Sequence, residues 1–200
     1  MRYLFLVVIL SLALPAHATT ILCLGDSLTE GYGVPKESAW PAVAEKTLKE
    51  KKYNVTLVNA GVSGSTTASG PSRVKWHMKS PPKPDWVFLA LGANDGLRGQ
   101  DVASARKNLE KTVQIATELG AKKVILAGMK VPPSLGAAYA KSFDSIYPTI
   151  AKQLKLPFLP FLLDGVAAKA ELNLPDGIHP NVSGHKIIAN HVAKFLETLL

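Results

Sequence analysis

The chain has 200 residues, of which 47% are hydrophobic and 19% are charged. These proportions are typical of one globular domain with a full core, and the sequence contains no internal repeat and no low-complexity tract. The net charge of +8 comes from basic residues that are spread along the chain. Because these residues do not cluster, we expect no nucleic-acid partner and at most peripheral contact with a membrane.

The N-terminal segment has the three-part layout of a secretory signal peptide. Arg2 supplies a positive charge, residues 3–14 are almost entirely apolar, and an Ala-x-Ala cleavage pattern ends at Ala18. The apolar run is shorter than the roughly 20 residues of a transmembrane helix. We therefore expect residues 1–18 to be a signal peptide, with a retained N-terminal helix as the alternative. Cleavage would leave residues 19–200 as a single domain that is periplasmic or secreted.

Short apolar runs alternate with segments of helical period. Five of these runs predict buried strands: Ile21–Leu24, Val55–Val58, Trp86–Leu91, Val124–Ala127 and Phe158–Leu163. The last of the five could be partly loop or helix. This alternation predicts a three-layer α/β/α sandwich around a mostly parallel sheet of about five strands.

The helical segments are recognised by apolar residues that recur on one face. Asp101–Leu119 has one such stripe, and Gly120 follows it in the usual C-terminal position. Two further stripes predict helices near the C-terminus: Tyr139, Phe143, Ile146, Ile150 and Leu154 in one, and Ile188, Val192, Phe195 and Leu199 in the other.

Polar and glycine-rich segments follow the predicted strands, where ligands bind in open parallel sheets. Gly25–Gly31 follows the first strand, Asn59–Gly64 the second and Gly92–Gly96 the third. A fourth such segment, Asp176–Pro180, precedes the last helix. We expect these four segments to meet at one edge of the sheet.

Three residues in these segments have the chemistry of a nucleophilic hydrolase. The Ser27 hydroxyl needs a base within hydrogen-bond reach, and that base needs a third group to orient it. His179 can be the base, and Asp176 can hold the imidazole in the useful tautomer. A helix N-cap is the structural alternative for Ser27, and the two roles are compatible.

An acyl-transfer site also needs donors for a developing oxyanion. The backbone N–H groups of Ser27 and Gly64 and the side-chain amide of Asn94 are the candidates. Gly61 competes with Gly64, because both glycines follow the second strand. Taken singly, each of these residues could equally be a turn former.

The four segments resemble, in this order, the four conserved blocks of the SGNH or GDSL hydrolase family. The matching residues are Gly25–Leu28, the loop with Gly64, Gly92–Asp95 and Asp176–His179. The resemblance covers nearly all of residues 19–200, and it is greatest to the periplasmic thioesterase, lysophospholipase and arylesterase branch. It implies a flavodoxin-like α/β/α fold, with the triad and the oxyanion donors on the residues named above.

These observations predict a serine esterase that forms an acyl-enzyme intermediate. Its substrates would be small carboxylic esters, together with acyl thioesters or lysophospholipids, and it would need no cofactor and act as a monomer. One alternative is a carbohydrate O-acetylesterase that uses the same triad. A distant alternative is a non-catalytic lipid- or glycan-binding module.

Other polar residues are assigned supporting or structural roles. We expect Asp26 and Asp95 to donate or accept supporting hydrogen bonds. Arg98 and residues 131–133 are candidates for the mouth of the cleft, with an ordinary surface loop as an equal alternative. The other candidates are expected to be structural or on the surface: His77, His185, His191 and the single cysteine, Cys23. No Gly-x-Ser-x-Gly elbow, His-Glu-x-x-His pattern or cysteine cluster is present, so we predict no metal.

Overall fold

A five-stranded sheet forms the centre of the fold in the computed structural model, which describes residues 18–200. The strands are β1 (Thr19–Gly25), β2 (Val55–Gly61), β3 (Trp86–Ala90), β4 (Lys123–Ala127) and β5 (Phe158–Leu159). They are all parallel and lie in the order β2-β1-β3-β4-β5. This is the flavodoxin-like order.

Seven α-helices within residues 18–200 surround the sheet: α1 (Ser27–Glu30), α2 (Trp40–Glu50), α3 (Gly70–Lys79), α4 (Ala93–Leu97), α5 (Val102–Glu118), α6 (Ala137–Leu154) and α7 (Val182–Glu197). Short 3-10 helices cover Lys36–Ser38, Thr67–Ser69, Pro133–Leu135 and Ala170–Leu172. Helix α2 packs against α7, whereas α3 packs against α5 and α5 against α6. The predicted three-layer α/β/α fold is confirmed.

The predicted signal peptide lies outside the described residues apart from Ala18, so it stays a prediction. Among residues 18–200, no helix is both long enough and apolar enough to cross a membrane.

The fifth strand is shorter than its apolar run predicted. The run continues to Leu163, but β5 ends at Leu159. Pro160 follows and has no N–H to donate to a ladder. Beyond it the chain turns, and the Leu162 N–H donates to the carbonyl of Gly128 at 3.0 Å. Only the first two residues of the run Phe158–Leu163 form a strand and the rest is loop, which is one of the alternatives that the sequence left open.

Helix α5 occupies the span that its periodicity predicted. The Asp101 carboxylate accepts a hydrogen bond from the Ser104 N–H at 2.7 Å and caps the first turn. Gly120 follows the helix with a φ of +89°, a left-handed conformation that suits glycine. Four of the five residues of the predicted stripe are buried, namely Ala105, Leu109, Val113 and Ala116, and the fifth, Val102, is partly buried against the core.

The other two helical stripes are correct except at their last residues. Leu154 is 43% exposed at the end of α6, where the helix passes the edge of the core. Leu199 lies beyond α7, which ends at Glu197, and Leu196 is the buried residue instead. Leu154 thus lies past the point where its helix faces the core, whereas Leu199 lies past the end of its helix but still packs against the core.

Helix α5 provides a test of this packing. Leu109→Ala removes fully buried methyl groups, so we expect it to lower the free energy of unfolding by about 2–5 kcal/mol. Lys107→Ala changes the exposed face of the same helix and should change that energy by less than about 0.5 kcal/mol. Urea unfolding followed by circular dichroism measures both values. Equal losses in the two variants would contradict the packing described above.

Candidate active site

Ser27, His179 and Asp176 lie in a row at the carboxyl ends of the strands. Ser27 is the first residue of α1, directly after β1, and the other two residues lie in the loop before α7. Ser27 Oγ is 2.9 Å from His179 Nε2, and His179 Nδ1 is 2.8 Å from Asp176 Oδ2. The structure therefore brings the three predicted residues together, with both imidazole nitrogens in hydrogen-bond contact.

The Asp176 carboxylate is held by the backbone of its own loop. Its Oδ1 atom accepts hydrogen bonds from the Ile178 N–H at 2.9 Å and the His179 N–H at 3.0 Å. The backbone hydrogen bond from His179, followed by the bond from its side chain, lowers the pKa of Asp176 to about 2. The carboxylate is thus ionised over the whole neutral range.

An aromatic ring covers one side of the imidazole. The ring centroids of Tyr32 and His179 are 4.6 Å apart, with an angle of 41° between their planes. Tyr32 is 51% exposed, so this contact lies at the entrance to the site. The Tyr32 ring limits the rotation of the imidazole.

A second carboxyl group, that of Asp26, lies directly before Ser27 and is fully buried. Its Oδ1 atom accepts a hydrogen bond from the Leu28 N–H at 3.0 Å and caps α1, so Asp26, rather than Ser27, is the N-cap. Among residues 18–200, Oδ2 has no hydrogen-bond partner. Burial raises the pKa of Asp26 to about 6, although the bond from Leu28 acts in the opposite direction.

Arg73 joins the ends of the two strands that flank this region. Its guanidinium donates to the carbonyl of Gly25 at 2.9 Å and to the carbonyl of Ala60. Gly25 is the last residue of β1 and directly precedes Asp26, and Ala60 lies one residue before the end of β2. Arg73 therefore connects the segment that carries Ser27 to the segment that carries Gly64.

The Gly64 loop is a tight turn whose geometry requires glycine. The Ser65 N–H donates to the Val62 carbonyl at 3.2 Å, and Gly64 has a φ of +77° while Ser63 does not have a positive φ. These features define a type II turn with glycine at its third position. Within the described residues, the Gly64 N–H has no hydrogen-bond acceptor.

Gly61 is constrained by packing instead. Its N–H donates to Asn59 Oδ1 at 3.0 Å, so it is already engaged. A Cβ atom at this position would lie 2.1 Å from the backbone nitrogen of Glu30. Glycine is needed here because β2 passes directly against the backbone of α1.

The Asn94 side chain is connected to the same loop. Its Nδ2 atom donates to the Ser65 carbonyl at 3.0 Å, and its Oδ1 atom accepts from the Arg98 guanidinium at 3.3 Å. These contacts orient the amide and leave one of its two N–H bonds free to meet a ligand. Arg98, which was a candidate for the cleft mouth, thus lies beside Asn94.

Asp95 holds the loop after Gly64 through hydrogen bonds, as expected. Both of its carboxylate oxygens accept hydrogen bonds from Thr67: Oδ2 from the backbone N–H at 2.8 Å and Oδ1 from the hydroxyl at 2.5 Å. The Asn108 amide also donates to the Thr67 hydroxyl, at 3.2 Å. This buried network fixes the segment that leads from the Gly64 turn into α3.

An apolar pocket of about 350 Å³ opens beside Ser27 and His179. Its walls come from neighbours of the candidate residues and from the segment after β5: Leu28, Ala93, Leu97, Lys130, Val131, Pro132, Phe161, Leu163, Ala167, Ala168, Asn173, Gly177 and Ile178. A larger concavity of about 930 Å³ lies between α5 and the end of α6, and none of the candidate residues lines it. The smaller pocket is the one that can hold a substrate near Ser27.

The remaining histidines and the cysteine lie away from this row. His185 is buried, its Nδ1 atom accepts a hydrogen bond from the Trp40 N–H at 3.2 Å, and burial lowers its pKa to about 4. His77 is only partly buried, against Trp76. Burial raises the pKa of the Cys23 thiol far above its ordinary value. Among residues 18–200, no group of three or more His, Cys, Asp or Glu side chains is arranged to hold a metal ion.

Comparison with known proteins gives the family. Residues 23–187 match the model of the GDSL-like Lipase/Acylhydrolase family. The chain belongs to this family. It is 37% identical over 196 residues to an arylesterase of Vibrio mimicus, a match that covers 98% of this chain and 97% of the relative. It is 36% identical over 198 residues to thioesterase 1/protease 1/lysophospholipase L1 of Escherichia coli (strain K12), covering 99% of this chain and 92% of the relative.

A solved structure shows the same fold. The crystal structure of TesA superposes on this GDSL acylhydrolase with a TM-score of 0.85 at 36% identity, covering 90% of this chain and 99% of TesA. The relatives are named as ester-bond hydrolases, and the chain is a hydrolase of this class. The family and the enzyme class predicted from the four sequence blocks are confirmed.

Sequence reasoning missed several residues at the site of this GDSL acylhydrolase. Arg73, Tyr32 and Glu30 each contact a predicted residue or its loop from elsewhere in the chain. Glu30 and Tyr32 follow Ser27 closely, and this proximity was the one available signal. Arg73 is 48 positions from Gly25, and no sequence pattern marked it.

The buried Asp26 predicts an unusual dependence of stability on pH. Its pKa rises from 3.8 in the unfolded chain to about 6 in the folded protein. Between pH 3.8 and about pH 6, the folded state binds more protons than the unfolded state. The free energy of unfolding therefore falls as the pH rises through this range. A difference of about two pKa units corresponds to about 3 kcal/mol.

Asp26→Asn keeps the oxygen that caps α1 but does not titrate. We expect the variant to gain stability relative to the wild-type protein as the pH rises from 4 to 7, by up to about 3 kcal/mol. Urea unfolding of both proteins at pH 4, 5, 6 and 7 measures this difference. A difference that stays constant over this range would show that Asp26 does not have the raised pKa.

Proposed function

We propose that this GDSL acylhydrolase is a serine esterase in which Ser27, His179 and Asp176 form the catalytic triad. The observation that carries the proposal is the row of two hydrogen bonds, 2.9 Å and 2.8 Å long, that connects the hydroxyl, the imidazole and the carboxylate. This geometry is that of a nucleophile, its general base and an orienting group.

In the acylation step, Ser27 Oγ attacks the acyl carbon of the ester while His179 Nε2 takes the hydroxyl proton. The Asp176 carboxylate accepts a hydrogen bond from His179 Nδ1–H, which keeps Nε2 unprotonated before the attack and stabilises the imidazolium afterwards. The tetrahedral intermediate then collapses, the bond to the leaving group breaks, and His179 gives its proton to the departing alcohol or thiol.

In the deacylation step, water takes the place of the leaving group. His179 Nε2 accepts a proton from the water as its oxygen attacks the acyl carbon of the acyl-enzyme. The second tetrahedral intermediate releases the carboxylic acid, and the proton returns from His179 to Ser27 Oγ. The cycle needs no cofactor.

Three donors are proposed for the oxyanion: the backbone N–H groups of Ser27 and Gly64 and the side-chain amide of Asn94. Gly64 is favoured over Gly61, because the Gly61 N–H already donates to Asn59. Donors of this kind act on charge that develops in the transition state, and the removal of one typically lowers turnover by about 10²- to 10³-fold.

The proposed substrates are esters and thioesters of medium-length acyl chains, including lysophospholipids. The pocket of about 350 Å³ supports this choice, because it is mostly apolar and far larger than an acetyl group needs. The activities in the names of the two curated relatives, arylesterase and thioesterase/lysophospholipase, agree with such a range. We further propose that residues 19–200 act as one monomeric domain after export from the cytoplasm.

The first test replaces the nucleophile. Ser27→Ala should lower kcat for p-nitrophenyl octanoate by at least about 10³-fold, because the hydroxyl that forms the acyl-enzyme is absent. Ser142→Ala, on the exposed face of α6, is the matched control and should retain full activity. A Ser27→Ala variant that keeps wild-type turnover would disprove the proposed mechanism.

The second test concerns the acyl chain. Each methylene group buried in the pocket contributes about 0.8 kcal/mol, so kcat/KM should rise from acetate to octanoate. Ala167→Phe fills the part of the pocket formed by the segment after β5. It should lower kcat/KM for octanoate by about tenfold and change kcat/KM for acetate by less than about twofold.

The control for this test adds the same bulk elsewhere, as Ala103→Phe on the exposed face of α5. The chain-length series also separates the alternative functions. Activity confined to acetate would favour a carbohydrate O-acetylesterase. A wild-type protein that hydrolyses none of these esters and does not react with a fluorophosphonate probe would instead favour a binding module.

A further inference from the structure

The turn that carries Gly64 is held by the carboxylate of Glu30. Glu30 is the last residue of α1, three positions after Ser27. Its Oε2 atom accepts a hydrogen bond from the Ser63 N–H at 2.7 Å and another from the Ser63 hydroxyl. One carboxylate oxygen therefore accepts from both hydrogen-bond donors of the residue that precedes Gly64, its backbone N–H and its hydroxyl.

Packing alone does not hold this turn. Val62, Ser63 and Gly64 are all exposed. A Cβ atom at Gly64 would have only the Arg98 guanidinium within 4 Å among the described residues, at 3.8 Å. The conformation of the turn therefore depends on hydrogen bonds, and those to an ionised acceptor are the stronger kind.

The conformation matters because it sets the direction of the Gly64 N–H. In a type II turn the peptide between the two central residues is flipped relative to a type I turn. Here that peptide joins Ser63 to Gly64, so a flip would turn the Gly64 N–H away from its present direction. On one side of this peptide, Asn94 donates to the carbonyl of Ser65. On the other side, Glu30 accepts from the N–H and the hydroxyl of Ser63.

The backbone of α1 adds to this connection. The Glu30 carbonyl accepts a hydrogen bond from the Asn59 amide at 3.3 Å, and Asn59 Oδ1 accepts from the Gly61 N–H at 3.0 Å. The helix that begins with Ser27 is thus joined at its other end to the strand and turn that lead to Gly64.

We propose that Glu30 is a positioning residue for hydrolysis, because it fixes the N–H and side chain of Ser63, the residue from which the peptide carrying the Gly64 N–H begins, and thereby favours the turn that directs this N–H at the oxyanion. This inference rests on the proposed function of Ser27 and Gly64. Glu30 makes no contact with the reacting atoms and acts through Ser63. The hydrogen bond from the Gly64 N–H stabilises the oxyanion of the transition state rather than the bound substrate. The loss of Glu30 should therefore lower kcat and leave KM nearly unchanged.

The experiment compares Glu30→Ala with Glu30→Gln. Glu30→Ala removes the acceptor, and we expect kcat for p-nitrophenyl octanoate to fall by about tenfold with KM changed by less than about twofold. Glu30→Gln keeps an acceptor oxygen for Ser63 and should remain within about threefold of the wild-type kcat. Glu37→Ala removes a carboxylate from the neighbouring exposed 3-10 helix and serves as the matched control.

Two further measurements separate a positioning role from a structural one. An alkyl trifluoromethyl ketone forms a tetrahedral oxyanion adduct with a serine, so its affinity should fall in Glu30→Ala by the same factor as kcat. The temperature of thermal unfolding should shift little, since the turn is exposed.

A double variant tests whether the two residues act together. Ser63→Ala should lower kcat less than Glu30→Ala does, and Glu30→Ala/Ser63→Ala should have the same kcat as Glu30→Ala, because the two residues act through one contact.

The wild-type protein and Ser27→Ala are measured in the same assay. If hydrolysis depends on Ser27 but Glu30→Ala keeps the wild-type kcat and inhibitor affinity, the positioning role is wrong and the proposed function stands. The role is equally wrong if Glu30→Ala loses activity through unfolding while its folded fraction binds the ketone normally. If the wild-type protein shows no hydrolysis that depends on Ser27, the proposed function fails and the inference fails with it.

Discussion

The arrangement of the candidate active site depends on the parallel register of β1 with its two neighbours. Gly25, the last residue of β1, pairs with Gly61 on one side and with Ala90 on the other. The three strands therefore end at the same level, and the segments that carry Ser27, Gly64 and Asn94 leave the sheet side by side. The Arg73 guanidinium reinforces this alignment where β1 and β2 end. This register is what brings the proposed nucleophile and the proposed oxyanion donors to the same edge of the sheet.

Two carboxyl groups near the site differ in pKa because their surroundings differ. Asp176 is partly exposed and accepts hydrogen bonds from two backbone N–H groups and the His179 imidazole, so it is ionised at neutral pH. Asp26 is fully buried, and one of its carboxylate oxygens has no hydrogen-bond partner among the described residues. Burial raises its pKa to about 6. Environments that separate the pKa values of neighbouring carboxyl groups are typical of catalytic sites. The charge that faces the imidazole most directly therefore comes from Asp176.

The rigid and the variable parts of the site come from different places in the chain. The proposed catalytic groups lie on segments anchored to β1, β2 and β3 or fixed by short hydrogen bonds within their own loop. The far wall of the apolar pocket instead comes from the segment directly after β5, with Phe161, Leu163 and Ala167 among its residues. Loops on a rigid scaffold can change without disturbing the chemistry. The selection of the acyl chain under the proposed function would accordingly fall to residues 161–168, for which the structure shows no hydrogen bond to Ser27.

The sequence by itself determined the α/β class, most of the strands and helices, the family and the residues proposed for catalysis. It did so because burial on both faces of a parallel sheet and on one face of a helix leaves a local pattern, and because the four polar blocks lie at strand ends. Local patterns do not show where a helix leaves the core or where it ends, so the burial of Leu154 and the helical assignment of Leu199 were predicted wrongly. They also do not show contacts between distant segments, such as Arg73 with β1 or Glu30 with Ser63. The preference for Gly64 over Gly61 came only from tertiary structure, because it depends on a backbone φ angle and on a hydrogen bond that already engages one of the two N–H groups.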